Sequence, residues 1–163
     1  MRQIYVAICI GFIIIIGNTL GELGRSNFDS TGQIFKNRIS PLYFLDTSSS
    51  FYHIYSIKGD FPNLAIRKVG HFFFYGFIAI LLFRVGKRKS LLLNGILSVL
   101  LTICVGILDE VYQYFLIGRS GRLLDILIDA AGCFTFLLFY LLSRLLVRHR
   151  DRSAVPLESK GGT

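Results

Sequence analysis

The chain lacks most of what marks a soluble enzyme or a nucleic-acid-binding domain. Among its 163 residues are only 10 acidic side chains, three prolines and three cysteines. No Pro/Ser-rich linker, internal repeat or low-complexity stretch divides it, so a single domain is expected. The cysteines Cys9, Cys104 and Cys133 have no CxxC spacing and each sits in an apolar run, which reads as small packing residues rather than a redox or zinc motif. No Gly-rich phosphate loop, nucleophile elbow or HExxH is present. The basic residues are not interleaved with stacking aromatics, which argues against a nucleic-acid partner despite a net charge of +8.

What the chain does have is apolar residues. They make up 53% of it, with a mean hydropathy of +0.58, more than a soluble domain of this length carries, and lipid is the simplest solvent to account for it. The runs predict an all-α bundle of four transmembrane helices at about 4–20, 67–84, 90–117 and 123–147. A helix from Ile4 to Leu20 is about 25 Å long, near the hydrocarbon thickness. It follows Arg2 and reads either as a retained anchor or as a signal peptide with a weak cleavage site near Gly17 and Thr19. Residues 21–66 form a long loop; its apolar pieces Ile39 to Leu45 and Phe51 to Ile57, with Tyr43, Tyr52 and Tyr55, suit the headgroup zone. Phe61 and Pro62, or Asn63, should open the second helix, since proline is tolerated in a first turn.

Basic residues set the expected topology. Arg2, the connection with Arg84, Lys87, Arg88 and Lys89, and the end with Arg144, Arg148, Arg150, Arg152 and Lys160 flank the apolar runs on one side. The positive-inside bias makes that side cytoplasmic, N-in and C-in, with the loop outside. The membrane domain is then 1–152 and the cytoplasmic tail 153–163.

A charge in hydrocarbon costs at least about 2.5 to 3.5 kcal/mol, so ionisable residues inside the runs need partners or a purpose. Counted at 1.5 Å per residue, Arg67 lies about 26 Å from Arg84, Asp109 about 30 Å from Lys89 and Asp125 about 28 Å from Arg144. Three helices therefore bring charges to one level near the outer interface. Arg67/His71/Tyr75, Asp109/Gln113 and Asp125/Asp129 are i, i+4 sets that share a helix face. Gly132 and Cys133 continue the Asp129 face with small side chains that let a helix approach closely. Phe72, Phe73 and Phe74 read as lipid-facing or helix-packing surface.

RKVGHFFFYGFIAIL, from Arg67 to Leu81, and DEVYQYFLIGRSGRLLDILIDAAG, from Asp109 to Gly132, resemble the VanZ-like membrane proteins of bacteria. The shared pattern is Arg-Lys-x-x-His-x-x-x-Tyr, then Asp-Glu-x-x-Gln, a Gly-Arg turn and Asp-x-x-x-Asp-x-x-Gly. It spans roughly the second half of the chain plus the first anchor. Ile117 departs from it, since relatives often carry proline there, so the resemblance does not fix the shape of the outer turn. The resemblance implies an envelope protein in a family whose founding member is linked to teicoplanin resistance. It supplies no settled biochemical activity.

Two readings of the polar cluster stand. Arg67, Lys68, Arg119 and Arg122 balance Asp109, Glu110, Asp125 and Asp129, which fits a self-neutralising structural lock. The same groups fit a site: His71 with Asp109 and Glu110 as acid/base catalysts, and Arg67, Lys68, Tyr75, Gln113, Arg119, Arg122, Asp125 and Asp129 as ligand-binding residues. One His among carboxylates also suits a hard divalent cation. Zinc is disfavoured, because no second His or Cys lies at this depth, and the sequence assigns no metal site or cofactor. Gly118 to Arg122, at the amino end of the fourth helix, reads either as an anion-binding loop or as an ordinary turn. Expected partners are membrane lipids, and for the site a lipid headgroup, a lipid-linked cell-wall precursor or a glycopeptide. A binding module and a small membrane enzyme acting on such a headgroup remain open. A transporter is disfavoured, since four helices leave little room for alternating access.

Overall fold

Four long helices account for nearly all of the described chain. They are α1 (Arg2–Ser26), α2 (Phe61–Val85), α3 (Leu91–Phe115) and α4 (Leu123–Ser153). The computed structural model describes residues 2–26, 35, 42–53, 61–86, 90–117, 119 and 121–153. Each helix contains a span long and apolar enough to cross a membrane: Arg2–Leu20, Ala65–Val85, Leu91–Phe115 and Leu123–Arg150. The expected four-helix all-α membrane bundle is therefore the observed fold. Three of the helices outlast the expected spans at one end or both, whereas α3 runs from Leu91 to Phe115 rather than over 90–117. Helix propagation is favourable once a run is nucleated, so polar flanking residues continue it.

Local chemistry explains the ends. Pro62 lies in the first turn of α2, where its missing N–H breaks no helical bond. Ser90 caps α3, its Oγ accepting from Leu93 N at 3.3 Å. The start of α4 is satisfied by the loop, where Leu123 N donates to Phe51 O at 2.9 Å. Within that loop Asp46 accepts from both the backbone N–H and the hydroxyl of Ser48, which holds its carboxyl below the usual range.

The helices run up, down, up, down, so the first and last helices begin and end at the same end of the bundle, here the terminal end; the other is the loop end. The most extensive packing joins α2 to α4. It depends on small residues: a Cβ on Gly132 would overlap the Phe72 backbone, and one on Gly76 would overlap the Phe136 ring. The core beside this contact is Tyr75, Ile78, Ala79, Leu82, Val105 and Cys133, with Ala7 from α1. Phe12, Phe77, Leu92, Phe139 and Leu146, among others, point outward, as expected of a bundle solvated by lipid.

At the terminal end α1 is pinned by a single amide. Gln3 Nε2 donates to Leu82 O at 3.0 Å and Asn94 Oδ1 at 2.9 Å, and lies 3.1 Å from Ser98 Oγ; Asn94 Nδ2 donates to Phe83 O at 2.8 Å. Gly86 leaves the space these side chains occupy.

Some expectations are corrected. Phe51 packs inside the protein rather than on its surface: it is buried in a cluster with Tyr114 and Ile126 at the loop end. Cys133 packs in the core, but Cys9 and Cys104 are exposed, because the apolar runs are apolar on all sides and do not reveal which face is inward. Lys87 to Lys89, Tyr55, Gly118, Ser120 and 154–163 lie outside the described residues, so the basic connection, part of the candidate anion loop and nearly all of the tail are not described.

Candidate functional site

The charges the sequence places at one level do meet. Asp109 (5% exposed), Glu110 (0%), Asp125 (2%) and Asp129 (1%) are all buried between the helices at the loop end. A buried carboxylate needs hydrogen bonds or counter-charge, and each here finds a different answer. Asp109 accepts from Tyr75 OH at 2.8 Å and from Asn18 Nδ2 at 2.6 Å. Asp125 forms an ion pair with Lys68. Asp129 Oδ1 lies 3.2 Å from His71 Nδ1. Glu110 Oε2 accepts from the backbone N–H of Arg122 at 2.9 Å, while its Oε1 lies 3.6 Å from His71 Nδ1. Glu110 Oε1 and Asp129 Oδ2 are shielded from solvent with no hydrogen-bond donor among the described residues.

The i, i+4 sets share faces as their spacing requires. Arg67, His71 and Tyr75 of α2, and Asp109 and Gln113 of α3, line one cavity of about 320 Å³. Asn18 and Ile14 of α1 close another side, and Arg119 borders it from the α3–α4 connection. The lining is therefore basic at Arg67 and Arg119, acidic and imidazole-bearing deeper, and apolar at Ile14 and Phe74. Phe74 is 50% exposed, so the cavity opens on the apolar outer surface of the bundle.

Lys68, Glu110, Arg122, Asp125 and Asp129 belong to the same cluster but do not line the cavity. Arg122 acts as a strut, its guanidinium Nη1 donating to His53 O at 2.8 Å while its N–H holds Glu110. Gly121 is not a loose hinge: a Cβ there would overlap the Glu110 carbonyl, so this glycine lets the turn lie against α3. Asn18 is a member that the sequence reading missed. It sits at the edge of the first run, where an uncharged amide resembles the start of the loop. A second tie, between Thr19 Oγ1 and Tyr112 OH, was missed for the same reason.

Chemically, His71 contributes an imidazole that borders the cavity and is backed by two buried carboxylates. That arrangement can hold or move a proton, or help bind a cation. Arg67 and Arg119 can receive an anion.

Comparison with known proteins agrees with the motifs. The VanZ/LLP1 family profile matches residues 4–146, so the chain belongs to that family. The match takes in the first helix and the loop as well as the two motif segments. No curated protein and no solved structure matches the chain.

Proposed function

We propose that this VanZ/LLP1 family member is a multi-pass protein of the bacterial cytoplasmic membrane that binds a phosphate-bearing lipid headgroup, in particular that of a lipid-linked cell-wall precursor, in its loop-end cavity. The loop end faces outward on this reading, because Arg84, Arg144 and Arg148 gather at the terminal end and basic residues favour the cytoplasmic side. The observation that carries the proposal is the composition of the cavity. Arg67 and Arg119 meet an anion on one side, and Ile14 and Phe74 offer an apolar wall continuous with the lipid-facing surface. A ligand with a charged head and a prenyl or acyl tail matches both. Glycopeptide tolerance would follow from sequestering such a precursor or shielding it from the antibiotic.

A second reading is favoured by one specific contact. His71 Nδ1 lies within hydrogen-bond distance of Asp129 while its ring borders the cavity, as an acid/base catalyst acting on the headgroup requires. Turnover of a radiolabelled lipid extract by purified protein distinguishes an enzyme from a binder.

The binding test is native mass spectrometry of the purified full chain with a lipid-linked precursor and with the matching prenol that lacks phosphate. The proposal expects retention of the precursor over the prenol, lost in Arg67→Gln and Arg119→Gln variants that melt like the wild type. Equal retention of the two lipids, or undiminished precursor binding in both variants, overturns it.

A further inference from the structure

We propose that His71, Glu110 and Asp129 form a binding site for a divalent transition-metal ion, Zn²⁺ or Mn²⁺ in chemical class, at the back of the loop-end cavity. The three residues come from three helices, and their candidate ligand atoms all lie within 4.8 Å of one another. Atoms bound to one ion at about 2.1 Å stand roughly 3.0 to 3.5 Å apart. His71 Nδ1 is 3.2 Å from Asp129 Oδ1 and 3.6 Å from Glu110 Oε1, close to that separation before any ion draws them together.

The hydrogen-bond inventory points to an ion. One proton on Nδ1 can serve one carboxylate, and the longer distance leaves Glu110 Oε1 with no donor among the described residues. Asp129 Oδ2 is likewise buried without one among those residues, and both side chains are 1% exposed. An unmet buried carboxylate oxygen is costly. A charge count agrees, since two carboxylates face one imidazole, which carries at most a single positive charge, whereas a dication with neutral His71 neutralises both. Supporting contacts are in place, because the Arg122 N–H fixes Glu110 through its other oxygen.

Ligand type narrows the ion. One imidazole nitrogen with two carboxylate oxygens suits Zn²⁺ or Mn²⁺, whereas Ca²⁺ takes more oxygen ligands and Mg²⁺ seldom uses nitrogen. The absence of a second His or Cys, which had disfavoured zinc in the sequence, disfavours only a closed structural site; three mixed ligands with an open position are a familiar catalytic arrangement. Cys133, one turn beyond Asp129, is not part of the set, since its thiol donates to the Tyr75 carbonyl. His71 is 22% exposed and borders the cavity, which gives an ion a route in and gives a phosphate held by Arg67 and Arg119 a nearby positive charge.

The site deepens the headgroup reading, but its test uses the metal alone. Purified full chain is stripped with chelator, dialysed against ZnCl₂ or MnCl₂ without added lipid precursor, and assayed for bound metal and for melting. The proposal expects about one ion per chain and a raised melting temperature, with Glu110→Gln and Asp129→Asn retaining under about a tenth of the ion. In wild-type protein loaded with Mn²⁺, pulsed electron paramagnetic resonance should show coupling to a directly bound imidazole nitrogen; this readout does not depend on any variant folding. No retained ion, or retained Mn²⁺ without that coupling, overturns the metal site. Precursor binding with no metal would leave the headgroup reading standing, and metal binding with no precursor retention would leave the metal site standing.

Discussion

Asp109 shows how a single buried carboxylate is made tolerable here. Its two oxygens are divided between Tyr75 and Asn18, so α1, α2 and α3 meet on one side chain. Tyr75→Phe removes one donor and leaves Asp109 Oδ2 unmet. A loss of about 1 to 3 kcal/mol is expected, read as a lower melting temperature of the purified protein; Asn18→Leu should act in the same direction and loosen α1. An unchanged melting temperature in both would mean that solvent, not these donors, satisfies Asp109. The charged half of this arrangement was legible in the sequence, because an aspartate inside an apolar run is conspicuous. The uncharged half was not: Asn18, Gln3 and Asn94 lie near the ends of their runs, where amides are common without any purpose. Glu110 and Asp125 were legible as cluster members, but their particular partners were not, since i, i+4 spacing gives a face and not the neighbour opposite.

Small residues and the ion pair of Lys68 with Asp125 hold helix pairs together among the described residues. The Gly132 backbone meets that of Phe72 so closely that even alanine has no room. Gly132→Ala should cost about 1 to 3 kcal/mol and Gly132→Leu more, checked by yield and thermal melting; wild-type behaviour of the leucine variant would contradict the α2–α4 contact. Lys68 and Asp125 tie the same two helices without lining the cavity. Replacing either alone with a neutral residue of similar size strands a charge, at a cost of up to about 3 to 5 kcal/mol. Lys68→Met with Asp125→Leu should recover most of that in a double-variant melting cycle, and additive losses would show that the pair is not the lock. Spans and helix order could be read from the runs because only helices of that length satisfy their backbone in lipid. The inward faces could not, as apolar residues occupy both core and lipid surface; the sequence therefore does not separate buried Phe51 and Cys133 from exposed Tyr52, Cys9 and Cys104.

For the whole molecule, an even number of spans puts the start and end of the bundle on one side, and the orientation proposed above from the basic flanks is that this side is cytoplasmic. A reporter active only in the cytoplasm should therefore work when fused after Arg152 or inserted near Lys87, and fail near Ser49; the reverse pattern would invert the bundle and place the cavity on the inner leaflet. Family, fold and the gathering of the charges at one end of the bundle were all legible in the sequence, since each rests on residue type and spacing. The division of the cluster into a lock, Lys68 with Asp125, and a cavity, bordered by Arg67, His71 and Arg119, needed the three-dimensional packing. That division is the central claim, and three single variants test it most directly. His71→Ala, Glu110→Gln and Arg119→Ala are each assayed for yield, for melting temperature and for retention of the lipid-linked precursor or cellular glycopeptide tolerance. A site predicts near-normal yield and melting like metal-stripped wild type, with binding or tolerance lost in all three, whereas full retention of both functions in all three would contradict the site and leave only a charge lock.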